Sequence, residues 1–132
     1  MILVDTSVWI DAFNGKPLRH VESLTEILSG EADVCTMQTI VQEVLQGIRS
    51  DSDFENIKYR FEGFPFLTLD LREAAIGAAQ IYRHLRKKGV SIRKPNDCLI
   101  AHYAISYHLE ILHNDIDFDH IARFTPLLIF KA

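Results

Sequence analysis

The residues of this chain best placed for chemistry are acids that follow short apolar runs. Ile2-Leu3-Val4 is an unbroken apolar run that stops at Asp5. A run without alternation fits a strand buried on both faces, as in a parallel sheet. Glu110-Ile111-Leu112-His113 leads in the same way into Asn114-Asp115-Ile116-Asp117. Ligand sites of open parallel sheets lie in the crevice beyond the carboxyl ends of the strands. Acids there offer anionic oxygen, the donor that hard divalent cations take. Each acid also has a plainer explanation. Asp5 before Thr6-Ser7 can cap the next helix, and acids are common in turns.

Asp97 is the third candidate. It follows Pro95-Asn96 in the first turn of a helix, where free backbone N–H groups favour the ionised carboxylate. Helical spacing aligns it with Ile100, Ala101 and Ala104, a stripe that should face the protein body. Glu43 is harder to place. It lies away from the centre of the face made by Ile40, Val44, Leu45 and Ile48, so pattern alone makes it solvated.

The elements that must position these acids alternate between strand and helix. The pattern predicts a strand at 2–4, a helix at 7–13 ended by Asn14-Gly15, and a helix from Lys16-Pro17 to Ser29. A strand at 32–36 follows, then a helix started by Thr36 or Thr39. A helix over 50–62, a strand over 64–69 and a long helix over 71–88 come next, the last capped by Asp70 with Glu73 in support. The chain closes with a helix from 95 to 107, a strand at 110–113, a helix at 117–124 and a strand at 126–130. This order predicts one α/β domain over 1–132, an α/β sandwich with a mainly parallel sheet.

Composition is that of an ordinary globular protein, 48% hydrophobic and 24% charged. No apolar run approaches bilayer length, so no membrane association and a cytoplasmic location are expected. Cys35 and Cys98 form no metal-ligand spacing and no disulfide framework. The net charge of −4 argues against coating nucleic acid by bulk electrostatics. The positive charge is concentrated instead. Arg83, Arg86, Lys87, Lys88, Arg93 and Lys94 hold six of the fourteen Lys and Arg residues within twelve positions.

Asp5 in Val-Asp-Thr-Ser-Val-Trp-Ile-Asp, Glu43 in Gln-Glu-Val-Leu-Gln-Gly, Asp97 in Asn-Asp-Cys-Leu-Ile-Ala and Asp115 in His-Asn-Asp-Ile-Asp-Phe stand in the order and surroundings of the PIN-domain family. The chain resembles that family from Met1 to about Phe130, and within it the VapC-type toxins of toxin–antitoxin pairs. The resemblance implies a three-layer α/β/α fold and an endoribonuclease dependent on Mg²⁺ or Mn²⁺. It also implies a homodimer restrained by a small antitoxin protein. Carried over by position, Asp5, Glu43, Asp97 and Asp115 would be the catalytic acids. Asp5, Asp97 and Asp115 would hold metal, Asp117 would be a more variable fifth acid, and Ser7 or Thr6 the hydroxyl beside Asp5.

The residue types suit that chemistry. Phosphodiester hydrolysis needs an activated water and neutralised charge on the attacking and leaving oxygens, which carboxylate-held divalent ions supply. Without an ion, carboxylates about 4 Å apart repel by about 4 kcal/mol at the effective dielectric of a protein surface and raise one another's proton affinity. The basic segment runs into Asp97 and is positioned to guide an RNA backbone, although positive charge at a helix C-terminus also suits the macrodipole. His102, His108 and His113 make no zinc spacing and read as packing or surface residues. Trp9 and Phe13 read as a core or dimer face.

Three other readings compete. A haloacid-dehalogenase-type phosphotransferase would need an acid where Ser7 stands. A receiver domain would not explain the helix bearing Asp97. A catalytically silent PIN-like module binding RNA or protein remains the alternative to an enzyme.

Overall fold

The computed structural model describes residues 1–30 and 32–132. Its centre is a five-stranded sheet in the order β3-β2-β1-β4-β5. The strands are β1 (Ile2–Val4), β2 (Val34–Met37), β3 (Phe66–Leu67), β4 (Glu110–Leu112) and β5 (Leu128–Ile129). All four pairings are parallel. β1 and β4 lie side by side with Val4 opposite Leu112. Leu3, Val4, Ile111 and Leu112 are essentially inaccessible to solvent, which is why these runs carry no polar alternation.

The first four helices are α1 (Thr6–Phe13), α2 (Arg19–Ser29), α3 (Gln38–Gln46) and α4 (Asp51–Glu62). The last three are α5 (Leu71–Lys87), α6 (Pro95–Ser106) and α7 (Ile116–Phe124). α1 packs against α2 and α3, and α3 against α4, while α5, α6 and α7 pack against one another. Strand order explains the division. Connections run outward from β1 to β2 and β3, then return past β1 to β4 and β5. Right-handed crossovers in opposite directions put their helices on opposite sheet faces. The expected three-layer α/β/α arrangement with a parallel sheet is what the chain forms.

Local chemistry sets the helix ends. Asp5, Ser50, Asp70 and Asp115 each accept a backbone N–H from the first turn of the helix they precede. Gly89 stops α5 in the left-handed region, with φ of +81°. Gly77 lets α6 approach α5 closely, because a Cβ there would overlap the His102 ring. Trp9 is buried with its ring centroid 4.9 Å from Phe61 and 5.7 Å from Phe64. Cys35 and Cys98 are buried free thiols, and burial pushes both up to about 11.

Some expected boundaries move for local reasons. α2 starts at Arg19, not at Lys16-Pro17, because the Lys16 N–H bonds to Asp11 O and the Leu18 N–H to Lys16 O. Neither Thr36 nor Thr39 caps α3. Thr36 lies within β2, Thr39 within α3, and Met37 occupies the cap without a side-chain bond. The third strand shrinks from six residues to Phe66–Leu67 at the sheet edge, where Pro65 can give its carbonyl to Thr36 N but has no N–H to offer.

Candidate functional site

The sheet reverses its winding between β1 and β4, so the crevice beyond their carboxyl ends is the switch point where α/β folds place ligands. Asp5 leaves β1 there, its N–H bonded to Leu112 O at 2.9 Å. Its side chain is 5% exposed and accepts from Ser7 N at 3.0 Å and Ser7 Oγ at 2.6 Å. Burial pushes the Asp5 carboxyl above its ordinary range against these bonds.

Asp115 enters from the end of β4. It caps α7 by accepting Asp117 N at 3.0 Å, and its own N–H donates to His113 Nδ1 at 3.1 Å. With Nδ1 accepting, the neutral His113 ring carries its proton on Nε2, which lies 3.2 Å from Asp119 Oδ1.

Asp97 completes the arrangement from the first turn of α6. It is 4% exposed, and its Oδ2 is buried without a hydrogen-bond partner. One carboxylate oxygen each from Asp97, Asp115 and Asp117 lies within 4.8 Å of the others. Burial, and then the negative charges of Asp5, Asp115 and Asp117, push Asp97 up to about 7 against the pull of Lys94. Asp5 stands outside the three-oxygen group and acts on Asp97 through its charge. The grouping thus includes Asp117, 4% exposed, where the resemblance put Asp5 among the ligands.

Two basic residues face these acids. Arg93 Nη2 lies 3.3 Å from Asp115 Oδ1, and Arg93 Nε 3.4 Å from Asp117 Oδ2. Lys94 Nζ lies 3.5 Å from Asp115 Oδ2. Burial works against the charged form of Asp115, but the Asp117 N–H, Lys94 and Arg93 outweigh it and hold the carboxyl low. Arg83, Arg86, Lys87 and Lys88 are exposed along the end of α5 and the turn after it, with Arg86 5.8 Å from the Tyr82 ring centre. Among the described residues, the ion pairs to the three grouped acids come from Arg93 and Lys94 alone.

Glu43 departs from the pattern-based reading. It is half-buried on α3, and Thr6 Oγ1 donates to its Oε1 at 2.9 Å. The helical wheel missed this because Glu43 meets Thr6 of α1, a neighbour that the wheel of a single helix does not show.

Asp11 received no functional reading from sequence. It is 6% exposed and accepts from Asn114 Nδ2 at 2.8 Å, with Lys16 Nζ at 3.3 Å. His20 Nε2 lies 2.7 Å from Asp11 Oδ2. Burial opposes its charge, but His20, Asn114 and Lys16 together hold its carboxyl below the ordinary range. A lone acid within Val8-Trp9-Ile10-Asp11-Ala12-Phe13 was the available signal.

The set fits a divalent cation on three counts. Its converging donors are all oxygen, one buried carboxylate oxygen lacks a donor, and a neighbouring acid is held ionised.

Comparison with known proteins agrees with the geometry. The model of the PIN domain matches residues 2–124. Ribonuclease VapC11 of Mycobacterium tuberculosis (strain H37Rv) is 38% identical over 128 residues, 96% of each chain. VapC ribonuclease Mb1587 of Mycobacterium bovis matches to the same extent, 38% over 128 residues. Among solved structures, VapBC2 from Rickettsia felis, bound to a DNA fragment from its promoter, superposes with a TM-score of 0.75 at 18% identity over 98% of both chains. VapBC-1 from nontypeable Haemophilus influenzae superposes with a TM-score of 0.73 at 20% identity, covering 99% of this chain and 98% of that one. The structures speak for the fold. The family model and the 38% relatives settle the lineage: this chain belongs to the PIN-domain family.

Proposed function

We propose that this protein is an endoribonuclease dependent on Mg²⁺ or Mn²⁺ and the toxin of a type II toxin–antitoxin pair. Its partners are an RNA substrate, a small antitoxin protein and a second copy of the chain. The ribonuclease names of the 38% relatives and the VapBC titles of structural neighbours support this reading. The observation that carries it is the three-acid group around the unpartnered Asp97 Oδ2.

In this reading Asp97, Asp115 and Asp117 hold the cation, with Asp5 beside them. When bound, the ion supplies water activation and neutralises charge on the attacking and leaving oxygens of the phosphodiester. Ser7 orients Asp5 by donating to Oδ2. Thr6 fixes Glu43 by Oε1, which leaves Oε2 to take a proton or a further ligand contact. Arg93 and Lys94, which flank the same acids, would be placed to bind the scissile phosphate. Arg83, Arg86, Lys87 and Lys88 guide the backbone by charge and carry no sequence information.

One observation favours the second reading, a silent RNA- or protein-binding module: Asp115 and Asp117 already have counterions in Arg93 and Lys94. Incubating pure protein with RNA, with Mg²⁺ and with chelator, separates the two. Mg²⁺-dependent fragments support the nuclease. Binding without fragments supports the module.

A further inference from the structure

We infer that Asp11 is a positioning residue of the acidic site, acting through Asn114; the inference rests on the metal-dependent reading above. Asp11 touches none of the grouped acids. It accepts from Asn114 Nδ2 at 2.8 Å, and Asn114 is covalently joined to Asp115. The Asn114 backbone N–H in turn donates to Ser7 Oγ at 3.0 Å, and Ser7 Oγ donates to Asp5 Oδ2 at 2.6 Å.

The direction of this chain follows from donor arithmetic. A serine hydroxyl has one proton. Because Asn114 N–H occupies an acceptor site on Ser7 Oγ, the serine proton is left to point at Asp5. Asn114 therefore does two things at once: it orients the hydroxyl that holds Asp5, and it sets the start of the turn from which Asp115 projects.

Asp11 is built to hold that asparagine still. Its carboxylate, 6% exposed, takes His20 Nε2 at 2.7 Å on the same Oδ2 that accepts from Asn114, while Lys16 Nζ lies 3.3 Å from Oδ1. An ionised carboxylate only accepts, so the His20 proton sits on Nε2 and the Asn114 amide presents its NH₂ to Asp11. A network that orients ligand-bearing segments in this way typically contributes 10- to 100-fold to metal affinity.

The test is Mn²⁺ binding to the full chain, read from loss of the free-ion electron paramagnetic resonance signal, with melting temperature measured in chelator alongside. Asn114→Ala and Asp11→Asn should each weaken Mn²⁺ binding by about 10-fold or more. The exchange pair, Asp11→Asn with Asn114→Asp, restores an amide–carboxylate bond in reverse and should recover affinity above either single variant, which a purely structural role would not require. Single variants that bind Mn²⁺ within twofold of the parent, or an exchange pair no tighter than the singles, would overturn the inference. A parent protein that binds no Mn²⁺ would instead overturn the metal-dependent reading, and this inference with it.

Discussion

The Thr6 hydroxyl donates to Glu43 Oε1 at 2.9 Å, joining the start of α1 to the middle of α3 across 37 positions of sequence. A hydrogen bond to a charged group contributes about 1.5–3 kcal/mol. If Glu43 acts only when held by Thr6, Thr6→Val should lower kcat about 10-fold or more, since each 1.4 kcal/mol is a factor of ten. Thr6→Ser should retain most of the rate. Single-turnover cleavage of a short RNA checks this, and equal rates for both variants would remove the hydroxyl from the mechanism.

Arg93 is 69% exposed at its side chain, so its pairs with Asp115 and Asp117 stabilise the fold by less than about 1 kcal/mol. Its expected contribution is to RNA. Arg93→Ala should leave the melting temperature within a few degrees and reduce the slope of log affinity against log salt by about 0.7, the value for one phosphate of a single strand. Neutralising Arg86, Lys87 and Lys88 together should flatten the slope further. Affinities measured at several salt concentrations decide the matter, and an unchanged slope would take this segment out of the RNA path.

Asp97 links the site to stability. Its carboxyl sits at about 7, raised from an ordinary 3.8. Between those values the folded chain keeps a proton that the unfolded chain has released, so stability falls as pH rises through this window. Asp11 and Asp115, both held low, contribute stability that is lost only as pH falls below the ordinary carboxylate range. In chelator, calorimetry should therefore give a higher melting temperature at pH 5.5 than at pH 7.5. Asp97→Asn should shrink that difference, and Mg²⁺ at pH 7.5 should raise the melting temperature of the parent only. Identical pH profiles for the two proteins would contradict this account.

Gly77 tests the packing that holds α6 in place. A Cβ there would overlap the His102 ring, and overpacking of this kind costs about 1–3 kcal/mol. Gly77→Ala should lower the free energy of unfolding in a denaturant titration by that amount, and combining it with His102→Ala should recover part of the loss. A neutral Gly77→Ala would mean that the two helices separate more freely than their packing indicates.

Much of the fold was legible because local and long-range signals coincide. The apolar runs of β1 and β4, the Asp70–Glu73 cap and Gly89 each state an element or its end. Asp5 and Asp115 were legible as site candidates for the same reason that made them ambiguous. Both cap a helix at the carboxyl edge of neighbouring strands, Asp5 buried there and Asp115 half-buried. Only burial separates them from Asp70, an exposed cap with the same local pattern. Glu43 was legible only through the family resemblance and not from pattern, and Asp11 was not legible at all. Their partners, Thr6 and Asn114, are brought to them by tertiary packing, and no periodicity of α3 or α1 encodes a bond to a distant segment. Asp117 entered the acid group because α7 begins at Ile116, which turns its first acid toward Asp97.

The central claim is that Asp97, Asp115 and Asp117 grip a divalent ion that cuts RNA. It is tested most directly by incubating one defined RNA with the parent protein and with Asp97→Asn, in Mg²⁺ and in chelator, and mapping the fragment ends. The expected result is discrete internal cleavage by the parent in Mg²⁺, and none with chelator or with Asp97→Asn. Undiminished cleavage by Asp97→Asn, or the same fragments in chelator, would contradict it.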